Sequence, residues 1–352
     1  MILPKRLKKG DYAIIVSLSS GVLGEKHMRH QIKLIKKRLK EFNLKVKFSK
    51  HSLMGSKFLS NHPEKRAEDL ITAFKNKKIK LILTAIGGKD THLTLPYLMN
   101  NNFSKLVKEN PKLFIGFSDT TVNHLMLYKM GLVTYYGQNA VCDFAEHSYN
   151  MLPYTKKWFN TLLNKEIKEI TPPEKWAKER SAYLASQIGK SRDYLNHEGH
   201  IFIQGDKKVS GALLGGCLER LYEILLREQE YPLNKENEKI FPPLSEWENK
   251  ILFIETTDKK PSPDSVLTML NKLREFGVFN KINGVIIGKP SENAFFNDYL
   301  QLFTTFFANF DFPVVYNLSF GHTAPRLILA YGQEIVVDSK NKKIYYTTPI
   351  VK

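Results

Sequence analysis

Residues 113–121, Leu113-Phe114-Ile115-Gly116-Phe117-Ser118-Asp119-Thr120-Thr121, run from four apolar residues through one aromatic into a polar string that opens a helix. A short apolar run with no polar alternation is the pattern of a strand buried on both faces, as in a parallel sheet. The helical pattern that follows, from about Asp119 to Met130, starts with almost no connecting loop. Ser118 falls on that turn and admits two readings. It is a nucleophile elbow, in which a sharp strand-to-helix turn lifts the hydroxyl above the sheet edge. Or it is a helix N-cap, the usual work of Ser and Asp at a helix start. Thr120 stands where the G-x-S-x-G form has its second Gly.

Working outward, the N-terminal half repeats the same alternation. Strands are expected at Tyr12–Ser17, Leu44–Phe48 and Ile79–Ala85, with helices over Lys26–Glu41 and Glu64–Asn76. Alternation of this kind predicts a parallel sheet covered by helices, whose ligands gather at the carboxyl ends of the strands. The third strand ends in Gly87-Gly88, followed by Lys89-Asp90-Thr91. A Gly pair there suits an oxyanion hole, a phosphate cradle or a tight turn. The string is similar to the GGDGT phosphate loop of NAD and lipid kinases, but Lys89 stands where that loop has Asp and Asp90 where it needs Gly.

From about Pro153 to His200 the periodicity weakens, which reads as a linker or substrate-facing loop. Beyond it, strands are expected at Ile201–Gln204, Lys250–Ile254, Val285–Ile287, Val314–Tyr316, Glu334–Val337 and Lys343–Tyr346, and helices over Gly216–Arg227, Pro263–Phe276 and Asp298–Phe307. The predicted organisation is α/β: an N-terminal parallel-sheet (Rossmann/flavodoxin-like) domain over 1–165, a linker over 166–200, and a smaller mixed, β-rich C-terminal domain over 201–352. Two further places carry candidate chemistry. Glu255 stands directly past the apolar strand LFI, where a carboxylate can orient an imidazole, or is simply an acidic strand end. His322 lies in the loop after Val314–Tyr316, exposed and stiffened by Gly321 and Pro325.

Composition bounds the rest. The 352 residues are 42% hydrophobic and 25% charged, an ordinary globular balance. Lys and Arg number 53 against 35 Asp and Glu, a formal +18 that favours anionic substrates. The excess lies in runs such as KRLKK, KKRLK and KNKKIK, without the motifs of a specific nucleic-acid binder, and reads as solvated helix faces. The two cysteines, Cys142 and Cys217, make neither a disulfide framework nor a zinc site and suit a reducing compartment. The short apolar run AIIVSL, preceded by Asp11, reads as a strand rather than a signal peptide, and no segment has the ~20 apolar residues of a membrane span. A cytoplasmic protein without membrane association is expected.

Blocks along nearly the whole chain then resemble one family: LKKGDYAIIVSLSSG, TAIGGKDTHLTLPYL, FIGFSDTTVNHL, VTYYGQNA, VSGALLGGCLERL, ILFIETTD, GVIIGKP and FGHTAPRLILAYG. In this order they resemble the LD-carboxypeptidase family of serine peptidases, and within it the branch typified by microcin C self-immunity. The resemblance implies Ser118 as nucleophile, Glu255 as triad acid and His322 as triad base, with backbone N–H groups of Gly88 and Asp119 as the oxyanion hole. It implies Lys259, four residues after Glu255, as a ligand for an acidic substrate group, with Gly87, Cys217 and Trp176 as further substrate-side candidates. Cys217 stands where the family has the Asn of Gly-Gly-Asn-Leu, so its contribution is open; a buried small hydrophobe suits it better than a nucleophile without a local base. Trp176 and Tyr183 lie in the segment from which the branch draws nucleobase-stacking aromatics. The implied substrate is a peptidyl or aminoacyl nucleotide, with an L,D-peptide of cell-wall recycling as the alternative and a kinase-like nucleotide binder as the alternative of another class. No metal or organic cofactor is expected, and a homodimer is implied.

Overall fold

Strand β1 (Tyr12–Val16) is YAIIV, buried along all but its first residue, and it lies inside the first sheet because neither of its faces tolerates water. It pairs in parallel with β2 (Lys45–Phe48) on one side and β3 (Ile79–Thr84) on the other. Next come β4 (Leu113–Gly116) and β5 (Thr134–Tyr136), also parallel. The computed structural model describes residues 1–166, 169–180, 183–230 and 239–352.

A two-stranded ribbon, β6 (Lys175–Ala177) with β7 (Tyr194–Asn196), lies in the connecting segment. The second sheet holds β8 (Ile201–Gln204), β9 (Lys208–Cys217), β10 (Lys250–Glu255), β11 (Gly284–Gly288) and β12 (Val314–Leu318). The chain then returns to the first sheet, where β13 (Leu329–Tyr331) pairs antiparallel with β5, and finishes in the second with β14 (Glu334–Asp338) and β15 (Lys343–Tyr346). The strand orders are β13-β5-β4-β3-β1-β2 and β15-β14-β9-β10-β11-β12-β8. The architecture is therefore mixed α/β, with a parallel-rich N-terminal sheet and a mixed C-terminal sheet.

Most expected elements stand where the pattern put them, with shifts of a few residues. The helix over Lys26–Glu41 is preceded by two 3₁₀ turns and becomes α-helical at Arg29. Its apolar stripe of Leu34, Ile35 and Leu39 is buried while Lys33, Lys36, Lys37 and Lys40 face water, which accounts for that basic run. The helix expected from Gly216 begins at Leu218, because Gly215, Gly216 and Cys217 complete the ten-residue strand β9. The stretch read as a linker opens with a helix, Pro153–Asn160, and parts of it at 167–168 and 181–182 lie outside the described residues.

An aromatic seam joins the sheets. The Phe253 ring on β10 meets Tyr136 on β5 at 5.2 Å and Tyr331 on β13 at 5.4 Å, and Tyr331 stacks on His124 at 5.5 Å. Burial lowers the His124 pKa to about 3, so the ring is neutral; Thr134 Oγ1 and the Gly116 carbonyl occupy its two nitrogens. No helix among the described residues is long and apolar enough to cross a membrane.

Candidate active site

The carboxyl ends of β3, β4, β10 and β12 converge at this seam, the usual location of a site in such sheets. Ser118 follows β4 with φ of +68°, a left-handed conformation that a non-glycine residue holds only when its surroundings enforce it. The enforcing contacts come from the helix that follows and from the neighbouring strand β5. The Thr121 hydroxyl donates to the Ser118 carbonyl at 2.7 Å, and the Ser118 N–H donates to the Tyr136 hydroxyl at 3.1 Å. A 3₁₀ turn over Ser118–Thr120 then opens the helix Thr121–Lys129, so the residue stands at a helix start without capping it through its side chain.

Ser118 Oγ lies 3.0 Å from His322 Nε2, and His322 Nδ1 lies 2.7 Å from Glu255 Oε2. A carboxylate only accepts, so Nδ1 carries the proton toward Glu255 and Nε2 is left to accept from the Ser118 hydroxyl. Burial alone pushes the His322 pKa down, but the charge of Glu255 and its hydrogen bond outweigh it, and the net shift is upward. Glu255 is enclosed on the far side by Tyr136, whose hydroxyl donates to Oε1 at 2.6 Å. The His322 loop comes this close because residue 321 is glycine: it has φ of +77°, and a Cβ there would stand 2.4 Å from Glu255 Cδ.

The Gly pair borders the same point. A Cβ on Gly87 would meet Ser118 Oγ at 3.0 Å, and one on Gly88 would meet Ser19 Oγ at 2.2 Å. The Asp119 carboxylate faces away from the triad-like line and anchors this loop, accepting from Ser19 Oγ at 2.6 Å and from the Thr91 N–H at 2.9 Å. Buried Arg66 holds Asp90 at 2.9 Å. Chemically, the arrangement offers a hydroxyl, an imidazole poised to take its proton, a buried carboxylate behind it, and backbone N–H groups around a gap that only glycine leaves open.

Comparison with known proteins gives this geometry its context. Residues 14–137 match the LD-carboxypeptidase N-terminal domain and residues 210–337 the LD-carboxypeptidase C-terminal domain. The chain belongs to the LD-carboxypeptidase family. It is a serine-type carboxypeptidase hydrolase of the MccF-like branch. An MccF-like protein from Streptococcus pneumoniae, solved in complex with AMP, is 41% identical and superimposes with a TM-score of 0.89 over 95% of this chain and 98% of that one. The microcin C7 self-immunity protein MccF of Escherichia coli is 28% identical over 297 residues, covering 81% of this chain and 78% of its own length. A microcin C7 self-immunity protein MccF in complex with aspartyl sulfamoyl adenosine superimposes with a TM-score of 0.83 at 25% identity over the whole of both chains.

The remaining substrate-side candidates of the family reading are scattered. Lys259 is exposed, and its charge acts on Glu223. Cys217 is fully buried beside Glu255 in the β9–β10 register; its thiol points to Glu219 Oε2 at 3.4 Å and its N–H to Thr121 Oγ1 at 3.1 Å. Burial, with the charges of Glu219 and Glu255, pushes that thiol far above its ordinary range, which is the state of a packed sulfur and not of a nucleophile. Trp176 is only 3% exposed, with the Lys289 ammonium 4.7 Å from its ring centroid, so neither it nor Cys217 is open to solvent. Tyr183 is turned to Cys142 Sγ at 3.5 Å.

Two residues at the site had no sequence signal of their own. Tyr136 is the second of two adjacent tyrosines in a three-residue strand. Arg326 is a lone arginine past Pro325, yet its guanidinium reaches the Gly321 carbonyl at 2.6 Å, Asp143 at 3.1 Å and Glu179 at 2.8 Å. It also lies 4.8 Å from the centroid of the Phe117 ring, which in turn meets the His322 ring edge-on at 5.2 Å. Glu179 belongs to the connecting segment, which is tied down again by Arg180 and Arg192 on buried Glu146 and by the Ala177 N–H on the Ala324 carbonyl.

Proposed function

We propose that Ser118 is the nucleophile, His322 its general base and Glu255 the carboxylate that orients the imidazole, in a hydrolase that cleaves an amide bond next to an acidic group. The continuous line from Ser118 Oγ through His322 to Glu255 carries this reading. Neutral His322 takes the Ser118 proton as Oγ attacks the carbonyl carbon. The developing oxyanion is held by the N–H groups of Gly88 and Asp119, the latter at a helix start whose dipole favours negative charge. The C–N bond then breaks as the imidazolium donates its proton to the leaving amine. Water repeats the sequence on the ester and frees Ser118.

The substrate in this reading is an aminoacyl or peptidyl nucleotide. The complexes of the related proteins with AMP and with aspartyl sulfamoyl adenosine support it, as does exposed Lys259 four residues beyond Glu255, a cation of the kind that binds a carboxylate. Residues 1–165 and 201–352 act as two domains that each supply part of the site, with 166–200 as the linker between them. A cytoplasmic homodimer fits the two free cysteines and the exposed Leu184, Ile188, Tyr194 and Leu195 of that connecting segment.

The test offers aspartyl sulfamoyl adenosine and an L,D-tetrapeptide to wild type and to Ser118→Ala, with a fluorophosphonate probe in parallel. Labelling at Ser118 and hydrolysis of the nucleotide analogue, both lost in Ser118→Ala, is the expected result. Retained hydrolysis by Ser118→Ala would refute the assignment of the nucleophile, and cleavage of the tetrapeptide alone would refute the substrate class.

A further inference from the structure

Tyr136 occupies a position that no part of the reaction scheme above uses. Its hydroxyl is wholly buried, accepts from the Ser118 N–H at 3.1 Å and donates to Glu255 Oε1 at 2.6 Å. Burial and then the Glu255 charge push the phenol far above its ordinary range, so it stays a protonated donor. In many serine hydrolases the nucleophile's own N–H helps to bind the oxyanion. Here that N–H is already committed, which leaves the task to other groups and gives the residue a different duty.

We infer that Tyr136 is a positioning residue which, through one hydroxyl, fixes both ends of the Ser118–His322–Glu255 line. On the Ser118 side it pins the amide of a turn held at φ of +68°. On the Glu255 side it occupies Oε1, so that Oε2 is the oxygen turned to His322 and the carboxylate's charge is shared between two donors. The hydroxyl also crosses from the first sheet to the second, because Tyr136 sits on β5 and Glu255 on β10. The inference rests on the proposed triad and adds a consequence for its titration. Removing the Tyr136 hydroxyl concentrates negative charge on Glu255, which raises the His322 pKa further and moves the acid limb of the rate profile to higher pH.

The experiment compares wild type, Tyr136→Phe and Tyr135→Phe by rate of fluorophosphonate labelling against pH, and by hydrolysis of aspartyl sulfamoyl adenosine. Tyr135→Phe is the matched control: it removes an equally buried hydroxyl from the same strand, one that donates to the Ile350 carbonyl at 2.7 Å and touches nothing in the site. Tyr136→Phe should lower labelling rate and kcat by about 10- to 100-fold, with KM nearly unchanged and the acid limb displaced upward. Tyr135→Phe should lose thermal stability and keep the wild-type profile. Site-specific 3-fluorotyrosine at 136 keeps the shape and strengthens the donor, so it should fold and move the limb to lower pH. An unmoved limb in the fluorotyrosine protein, or equal kinetic losses in both phenylalanine variants, would overturn the inference. Wild type that is not labelled at Ser118 would instead remove the proposed nucleophile beneath it.

Discussion

Replacing Gly87 by alanine should disable the site more than it destabilises the fold. Gly87 does not adopt a left-handed φ, so alanine meets no backbone objection there, and the whole penalty is one contact. Its Cβ would stand 2.9 Å from Ser118 Cβ and 3.0 Å from Oγ. Carbon atoms settle at roughly 3.5–4.0 Å, so roughly 0.6 to 1 Å of separation must be found. Ser118 cannot easily give it, being pinned at its amide by Tyr136 and at its carbonyl by Thr121. Overpacking of this size costs about 1–3 kcal/mol of stability. A displacement of ~1 Å at a reacting atom costs about 100-fold in rate. The same methyl also approaches the Asp119 N–H at 3.5 Å, where the substrate carbonyl oxygen is proposed to sit. The assay is the second-order rate of fluorophosphonate labelling, which needs no knowledge of the natural substrate, with a thermal melt on the same samples. Gly131→Ala serves as the contrast: φ is +86° with nothing within 4 Å, so it should lose about 1 kcal/mol of stability and no reactivity. Labelling of Gly87→Ala at the wild-type rate would show that the reacting oxygen is not where Ser118 Oγ lies, and would refute the reasoning.

Two further expectations follow from the charges around the site. Because Glu255 outweighs burial and raises the His322 pKa, the acid limb of kcat/KM should lie above the ordinary imidazole value, and Glu255→Gln should bring it down. The stability that this raised pKa contributes is fully present below the unfolded value of about 6.5 and is lost as pH rises through the folded value, so melts should show it fading across the window in which activity appears. Arg326→Met leaves buried Asp143 without its cation and half-buried Glu179 with Arg192 alone, which should cost about 3–5 kcal/mol and make the 169–200 segment a preferred site for trypsin. Unchanged digestion there would show that the other ties hold the segment by themselves.

What the sequence disclosed, and what it hid, divides by the range of the interactions concerned. The turn at Ser118, the strand ending in Glu255 and the loop carrying His322 are each written in fewer than ten consecutive residues, as an apolar run followed by a change of pattern. That these three points meet is not local information, and only the order of family blocks suggested it. Tyr136 shows the limit most sharply: its partner Glu255 is 119 residues away, and a second tyrosine in a short strand looks like packing. Strand β9 was missed because GALLGGC lacks alternation and its glycines read as a break; they are strand residues, and a Cβ on Gly216 would meet Thr121 at 2.5 Å. Strand β13 was missed for another reason: three residues are too few to show a period, and it pairs with the first sheet across the domain order. Cys217 reads correctly as a buried small hydrophobe, because burial beside two carboxylates keeps its thiol protonated.

The placement of the line across two sheets also constrains how the protein can move. Glu255 is buried, and its donors come from both sides of the seam, Tyr136 from the first sheet and His322 from the second. Sliding the sheets apart would strand a carboxylate in an apolar interior, a penalty of several kcal/mol that little else in the seam would offset. The Cys217 N–H to Thr121 contact and the Tyr331 hydroxyl on the Gly215 carbonyl hold the same boundary at 3.1 and 3.0 Å. The connecting segment differs, because ion pairs fasten it and exposed apolar side chains stand beside the few that it buries, Ile170, Trp176 and Ala177. Among its fastenings, buried Arg326 ties Glu179 of the segment to the carbonyl of Gly321, the residue before His322, so the segment and the loop that carries the imidazole share one cation.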